Sequence, residues 1–247
     1  MTGVLITKPV PISVDAPGTG GQFLLTADPN EIWLAPSTAS VEIQIDLGVA
    51  TTLDSVFLGF TNAGVGATWT ISTMTGTGTG YVEMHAGAFR AADSLGPRHH
   101  GYVRLADPVT TRWLSIVIDQ DGAEALYAGV LMLGRAFEKH REYGQGRNLI
   151  DTGARSDLPS GGFGTGEGVV KASFAFSFID LTDMELFQLD AIKRDRGLRK
   201  PVLVVEDAEL VIGQNEAIHY GVFERFQAWE RADPANTRWA GSVVEWA

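Results

Sequence analysis

Residues 41–47, VEIQIDL, put Val41, Ile43, Ile45 and Leu47 on one side of an extended chain and Glu42, Gln44 and Asp46 on the other. A two-residue period of this kind marks a strand with one buried and one wet face. Further short runs follow: LDSVFLGF (53–60), TWTIST (68–73), YVRL (102–105), RWLSIVIDQ (112–120) and YAGVLMLG (127–134). In RWLSIVIDQ, Leu114, Ile116 and Ile118 alternate with Ser115, Val117 and Asp119. DAPGTGG (15–21), TNAGVG (61–66), TGTGTG (75–80) and DSLGPRHH (93–100) separate the runs with turn-forming residues, and no helical period interrupts them. The pattern predicts an antiparallel β-sandwich or jelly roll over residues 1–136.

The texture changes at RAFEKHREYGQGR (135–147), where charge and glycine replace alternation, and a second domain is expected over 137–247. It opens with a Gly-rich arm, TGARSDLPSGGFGTGEG (152–168), and continues into VVKASFAFSFIDL, with Phe174, Phe176 and Phe178 on one face. The arm is long and poor in apolar residues, so it is expected to order against a neighbour rather than on itself. One helix is predicted over about 182–197. Thr182 and Glu185 form a capping box, Asp183 and Glu185 suit the positive helix start, and Lys193, Arg194 and Arg196 suit its end. Gly197 and Pro201 then stop it. VLVVED (202–207), ELVIG (209–213), HYGVFERFQAWE (219–230) and RWAGSVVEWA (238–247) read as closing strands. The fold class is all-β, two β-sandwich domains with a single flanking helix in the second.

Composition narrows the function. Of the 247 residues 45% are hydrophobic and 20% charged, as in a folded globular chain. The net charge is −11, with 6 Lys/Arg against 12 Asp/Glu in residues 1–135 and 13 against 18 in the rest. Such a balance disfavours gripping nucleic acid, which needs clustered Lys and Arg. The chain has no cysteine, which removes disulfides, thiolate metal sites and cysteine nucleophiles. No apolar run has bilayer length and the first residues do not read as a signal peptide, so synthesis in a cytoplasm without membrane insertion is expected.

Catalytic signatures are missing. GTGTG lacks a following Lys-Ser/Thr, and GGFGTGEG lacks the G-x-G-x-x-G spacing of a nucleotide loop. The five histidines form no H-E-x-x-H pair, and Asp119-Gln120-Asp121-Gly122 reads as a hairpin turn rather than a calcium loop. No G-x-S-x-G elbow is present, and Glu206, Asp207 and Glu209 sit beside a turn where solvation accounts for them. Neither an enzyme nor a cofactor is expected. Trp69, Trp113, Trp239 and Trp246 read as strand-packing rings, while Trp33, Tyr81 and Phe89 are the aromatics able to meet a ligand.

ADPNEIWLAPSTASVEIQIDLGVATTLDSVFLGFTNAGVGATWTIS resembles the start of discoidin-like, galactose-binding-like sandwiches, with a tryptophan before the strand and an I-D-L-G strand end. TTRWLSIVIDQDGAEALYAGVLMLG is similar to the close of that fold. The stretch from NLIDTGARSDLPSGGFGTGEG through the DLT cap and helix to VLVVED, with the ending TRWAGSVVEWA, resembles distal-tail or minor tail proteins of siphophages and prophages. That resemblance implies a tail-tube-like ring domain and a structural subunit of a tail tip or baseplate in the virion. A homo-oligomeric ring, a hexamer, would then contact tail tube, tape-measure and hub proteins while DNA passes through without specific binding. Arg155, Leu158 and Phe163 of the arm, with Arg194 and Arg196 at the helix end, are the expected inter-subunit surface. The rival expectation is a carbohydrate-binding protein that recognises a host cell-surface glycan through Trp33, Tyr81 and Phe89 of the first sandwich.

Overall fold

The computed structural model describes residues 3–90, 99–121, 124–142, 146–207, 213–228, 230–231 and 237–246. Two compact units emerge, residues 1–138 with 205–218, and residues 139–204 with 219–247. Residues 205–218, expected with the C-terminal part, therefore cluster with the first unit. Of that segment, the ELVIG run lies almost wholly outside the described residues. The anchor that can be named is Asn215, whose side-chain oxygen accepts the His100 backbone N–H at 2.8 Å.

The first unit contains β1 (Val4–Pro9), β2 (Ser13–Asp15), β3 (Trp33–Leu34), β4 (Val41–Thr61), β5 (Thr68–Met74), β6 (Val82–Ala88), β7 (His99–Asp119), β8 (Tyr127–Ala128) and β9 (Val130–Lys139). VEIQIDL and LDSVFLGF prove to be one strand, β4, and YVRL and RWLSIVIDQ are both part of β7. These two long strands serve both layers of a sandwich. Their first ladder runs from Val41↔Ile118 to Asp46↔Trp113, flanked by β2 on one side and by β5 and β6 on the other. Their second runs from Ser55↔Arg104 to Leu58↔Gly101, flanked by β9 and then β1.

Between the ladders each strand spends extra residues. Leu47–Ala50 on β4 face Arg112 alone, and Leu105–Pro108 on β7 face Asp54 alone. Bulges of this kind bend a ladder and strengthen its twist, which folds one long hairpin into two layers. Gly48 supplies the left-handed backbone needed at the corner, at φ 75°. Ile43, Ile45, Ile71, Leu114, Ile116 and Ile118 from the first layer meet Val56, Leu58, Leu131 and Leu133 from the second in one buried core.

The second unit contains β10 (Arg147–Asp151), β11 (Ala154–Asp157), β12 (Phe163–Gly166), β13 (Val170–Phe178), α1 (Asp183–Arg196), β14 (Val202–Val205), β15 (Ile218–Phe226), β16 (Glu230–Arg231) and β17 (Thr237–Glu245). Its sheet runs β10-β13-β17-β15-β14, with β16 on β17. Phe174, Phe176 and Phe178 share a buried face with Trp239, and His219 stacks on Phe174 at 5.0 Å and 4°. The capping box of α1 forms as its sequence predicts, and Leu189 and Ile192 are its buried residues.

The glycine-rich arm departs from expectation, because it pairs with itself. β11 and β12 form a hairpin from Ala154↔Gly166 to Asp157↔Phe163, continuing the β10–β13 ladder that ends at Asp151↔Val170. Thr152 joins the two stretches, since its hydroxyl donates to the Val169 carbonyl at 3.0 Å and accepts the Val169 N–H at 2.9 Å. Backbone pairing inherited from β10 and β13 thus orders a segment that has no core of its own.

Candidate functional site: the open face of the first sandwich

Alternation along β4 and β7 sends one set of side chains into the core and the other to the opposite side of the first layer, where Ser72, Met74 and Ser115 are themselves buried and Glu42, Gln44, Asp46 and Trp113 are half-buried. Register fixes that outer set. Asp15, Gln44, Ser115 and Ser72 lie in one cross-strand row, and Ser13, Asp46, Trp113 and Met74 lie in the next. Glu42 and Val117 continue the platform one pair further along.

Two aromatic rings bracket the polar groups. Tyr81 follows the TGTGTG turn, is 47% exposed, and donates its hydroxyl to Glu42 Oε1 at 2.8 Å. Ser115 Oγ donates to the same oxygen at 2.7 Å. The Glu42 carboxylate, accepting the phenol's hydrogen bond, holds the Tyr81 phenol above its usual pKa. Among the described residues, no hydrogen-bond partner engages Glu42 Oε2 or the Gln44 amide.

At the corner, Arg112 binds Asp46 through two bonds, Nε–Oδ1 at 2.8 Å and an Nη–Oδ2 contact at 2.9 Å. Its guanidinium also lies 4.5 Å from the centre of the Trp113 ring. The Arg112 hydrogen bond holds the Asp46 carboxyl below the ordinary carboxylate range, with the Gly48 N–H adding to the effect at 2.7 Å.

Of the three rings expected at a glycan surface, Tyr81 alone is open. Trp33 is buried against the 15–21 loop, where its Nε1 donates to the Pro17 carbonyl at 2.8 Å, and Phe89 packs edge-on to Trp69 inside the core. Neither can stack on a ligand, which corrects that part of the expected site. On the arm, Leu158 and Phe163 both face solvent, and the Arg155 guanidinium sits 4.5 Å over the Phe163 ring. The helix-end arginines differ from one another. Arg194 is open and pairs with Asp190, whereas Arg196 is mostly covered and tied to Asp195 and the Pro201 carbonyl.

The Asp119–Gly122 turn has a structural role in the residues that can be described. The Asp121 carboxylate accepts the Gly66 N–H at 2.7 Å, and Gln120 Oε1 accepts that of Gly64 at 3.3 Å. Gly122 lies outside the described residues, and no group of three or more metal-ligating side chains occurs among the described ones. A second polar group surrounds buried Asp54: its Oδ1 accepts the Ala136 N–H at 2.8 Å, and Arg104 bridges it to Glu138. Burial pushes the neighbouring Tyr102 phenol up to about 12. Asp54 and Tyr102 are buried, while Arg104 and Glu138 reach the surface of the second layer.

Glu42, Gln44 and Trp113 were not singled out as ligand contacts in the sequence. The signal was present, since Trp113 stands in the wet phase of RWLSIVIDQ, one residue out of step with Leu114, Ile116 and Ile118.

No family model matches the chain, and no curated protein matches it. Solved structures do align with part of it. A carbohydrate-binding module of Clostridium perfringens, CpGH89CBM32-6, is 10% identical, with 50% of this chain and 93% of that one covered and a TM-score of 0.40. CBM32-1 from a family 31 glycoside hydrolase of Clostridium perfringens is 14% identical, with 51% and 96% covered and a TM-score of 0.41. The CBM32 of AlyQ, solved with 4,5-unsaturated mannuronic acid, is 16% identical, with 52% and 96% covered and a TM-score of 0.40. At these values the likeness carries no weight in assigning a ligand; the sandwich stands on its own strand register and core.

Proposed function

We propose that the protein binds carbohydrate on the open face of its first sandwich. The observation that carries this reading is the Gln44 amide and Glu42 Oε2, both left without partners among the described residues between Tyr81 and Trp113. A pyranose presents an apolar C–H face and a rim of paired hydroxyls. Rings at the edge of a site meet the first, and planar amide or carboxylate groups meet the second. The charge of the platform narrows the ligand. Asp15, Glu42 and Asp46 face it with Arg112, which Asp46 already engages. Neutral or amino sugars suit such a surface, and sialylated or uronic glycans are repelled.

A glycan array with neutral, amino and acidic sugars tests the reading. The chain should bind neutral or amino glycans, and Gln44→Ala and Tyr81→Ala should each weaken binding about tenfold or more, the equivalent of roughly 1.4 kcal/mol. Absence of binding to every glycan, or binding that neither substitution alters, overturns it.

A second reading, a structural subunit of a phage or prophage tail tip, draws on one specific observation. The β10–β13 ladder and its β11–β12 extension leave Leu149, Leu158, Phe163, Val169 and Val170 exposed on a thin two-stranded arm. An arm of that kind suits a protein that completes itself against neighbours. Its presence or absence in purified virions tests this reading.

A further inference from the structure

The second unit carries two exposed surfaces of opposite character. On the arm, the Arg155 guanidinium lies over the Phe163 ring, and no carboxylate pairs with it among the described residues. On α1, Met184 and Phe187 are 67% and 72% exposed, on a helix whose buried residues are Leu189 and Ile192. A shallow groove beside Phe187 is lined by Asp183, Leu186 and Asp190. Asp190 is occupied by Arg194, but Asp183 has no cationic partner among the described residues.

We infer that the arm of one copy docks on the outer face of α1 of a second copy, with Phe163 against Met184 and Phe187 and Arg155 against Asp183. The occupant follows from complementarity: a cation beside an apolar ring on the arm, an anion beside apolar side chains on the helix. Both halves are exposed in a single chain, so neither satisfies the other within it. Donor and acceptor are different surfaces, which makes the contact head-to-tail. Each copy gives its arm to one neighbour and accepts the arm of another, and the chain of contacts closes into a ring or runs on as a filament. Apolar contact at the centre with one ion pair beside it is the usual make-up of such a site. The inference deepens the reading of the protein as an assembling subunit and is independent of the carbohydrate face. Self-association without incorporation into virions would remove the tail assignment and leave the contact standing.

Sedimentation velocity across a concentration series tests it on the full chain. The unmodified protein should sediment faster as concentration rises. Phe163→Asp and Phe187→Glu should each weaken association on the order of 30-fold, as for a central interface residue, while circular dichroism melts confirm that both variants remain folded. An equimolar mixture of the two should stop at pairs, because one intact arm and one intact helix face remain per pair. Arg155→Glu and Asp183→Arg should each weaken association, and the double variant should recover it. A protein that stays monomeric at every concentration overturns the inference, as does association that either Phe substitution leaves unchanged.

Discussion

Along β4 and β7, each paired position from Val41↔Ile118 to Ile45↔Leu114 alternates an apolar pair set in the core with a pair on the outer face. Along β10–β13 and β11–β12 the backbone pairing is just as regular, yet almost every side chain before the buried half of β13 is exposed. The two ladders share hydrogen bonding and differ in what their side chains reach. Backbone bonds exchange water for a protein partner at small net gain, so the ladder alone contributes little to stability. Burial of the alternating apolar set is what makes β4 and β7 the centre of the first unit. A two-stranded ribbon without such a set is marginal, and the arm belongs to the part of the molecule that opens most easily.

Matched truncations in the two ladders should show the largest contrast. Ile116 is fully buried between β4 and β5, and Leu149 is 69% exposed on β10. Ile116→Ala should lower unfolding stability by about 2–5 kcal/mol through lost transfer energy and the cavity left behind. Leu149→Ala should change it by no more than roughly 0.5 kcal/mol, as at other exposed sites. Urea titrations of both variants check this. A large loss at Leu149 would mean that the arm is packed on something.

The glycine turns give a finer test, because the same chemistry recurs at a corner of the first sandwich and at the tip of the arm. Gly48 at φ 75° and Gly161 at φ 84° both have open space where a Cβ would sit, so a substitution meets backbone strain and no clash. Gly48→Ala should cost about 1–2 kcal/mol in global unfolding, the usual penalty for a left-handed L-residue. Gly161→Ala carries the same local strain but is relieved when the arm tip opens. Its effect should appear in amide exchange at Arg155 and Thr165 and leave the urea midpoint unmoved.

Much of this contrast is legible in the residues. Val41–Leu47 and Leu114–Ile118 announce a half-buried sheet, and Thr182 to Gly197 specify the helix by cap, charge and stop. The merging of four runs into β4 and β7 was hidden, because the bulges at Leu47–Ala50 and Leu105–Pro108 interrupt the period and look like loops. The fate of Trp33 was hidden too: its ring is enclosed by a turn that places the Pro17 carbonyl at its indole nitrogen, a tertiary choice that local pattern does not encode. Arm pairing was missed for the converse reason. Glycine and serine predict no burial, which is correct, but they do not forbid pairing that neighbouring strands impose. Of the open face, Tyr81 is the one of the three expected ligand-facing rings that is exposed, whereas Glu42 and Gln44 carry no signal beyond that of ordinary wet-side residues of a strand.

Protonation at the corner gives the smallest effect and still separates the two ladders. Arg112 and the Gly48 amide hold the folded Asp46 carboxyl below its value in the unfolded chain. A depressed folded pKa stabilises the protein above the unfolded value near 3.8, and the contribution disappears as pH falls through the folded value. Asp46→Asn should therefore leave a shallower acid limb below about pH 4 in a plot of unfolding midpoint against pH. The substituted amide can still accept the Gly48 N–H, so the turn is kept while the charge is removed. Asp151 offers the control. It makes the same kind of turn bond, to Gly153 at 2.8 Å, but on the arm and with no arginine paired to it among the described residues. Asp151→Asn removes a carboxylate without removing an ion pair; an equal flattening by both substitutions would show that the corner ion pair has no effect beyond general charge.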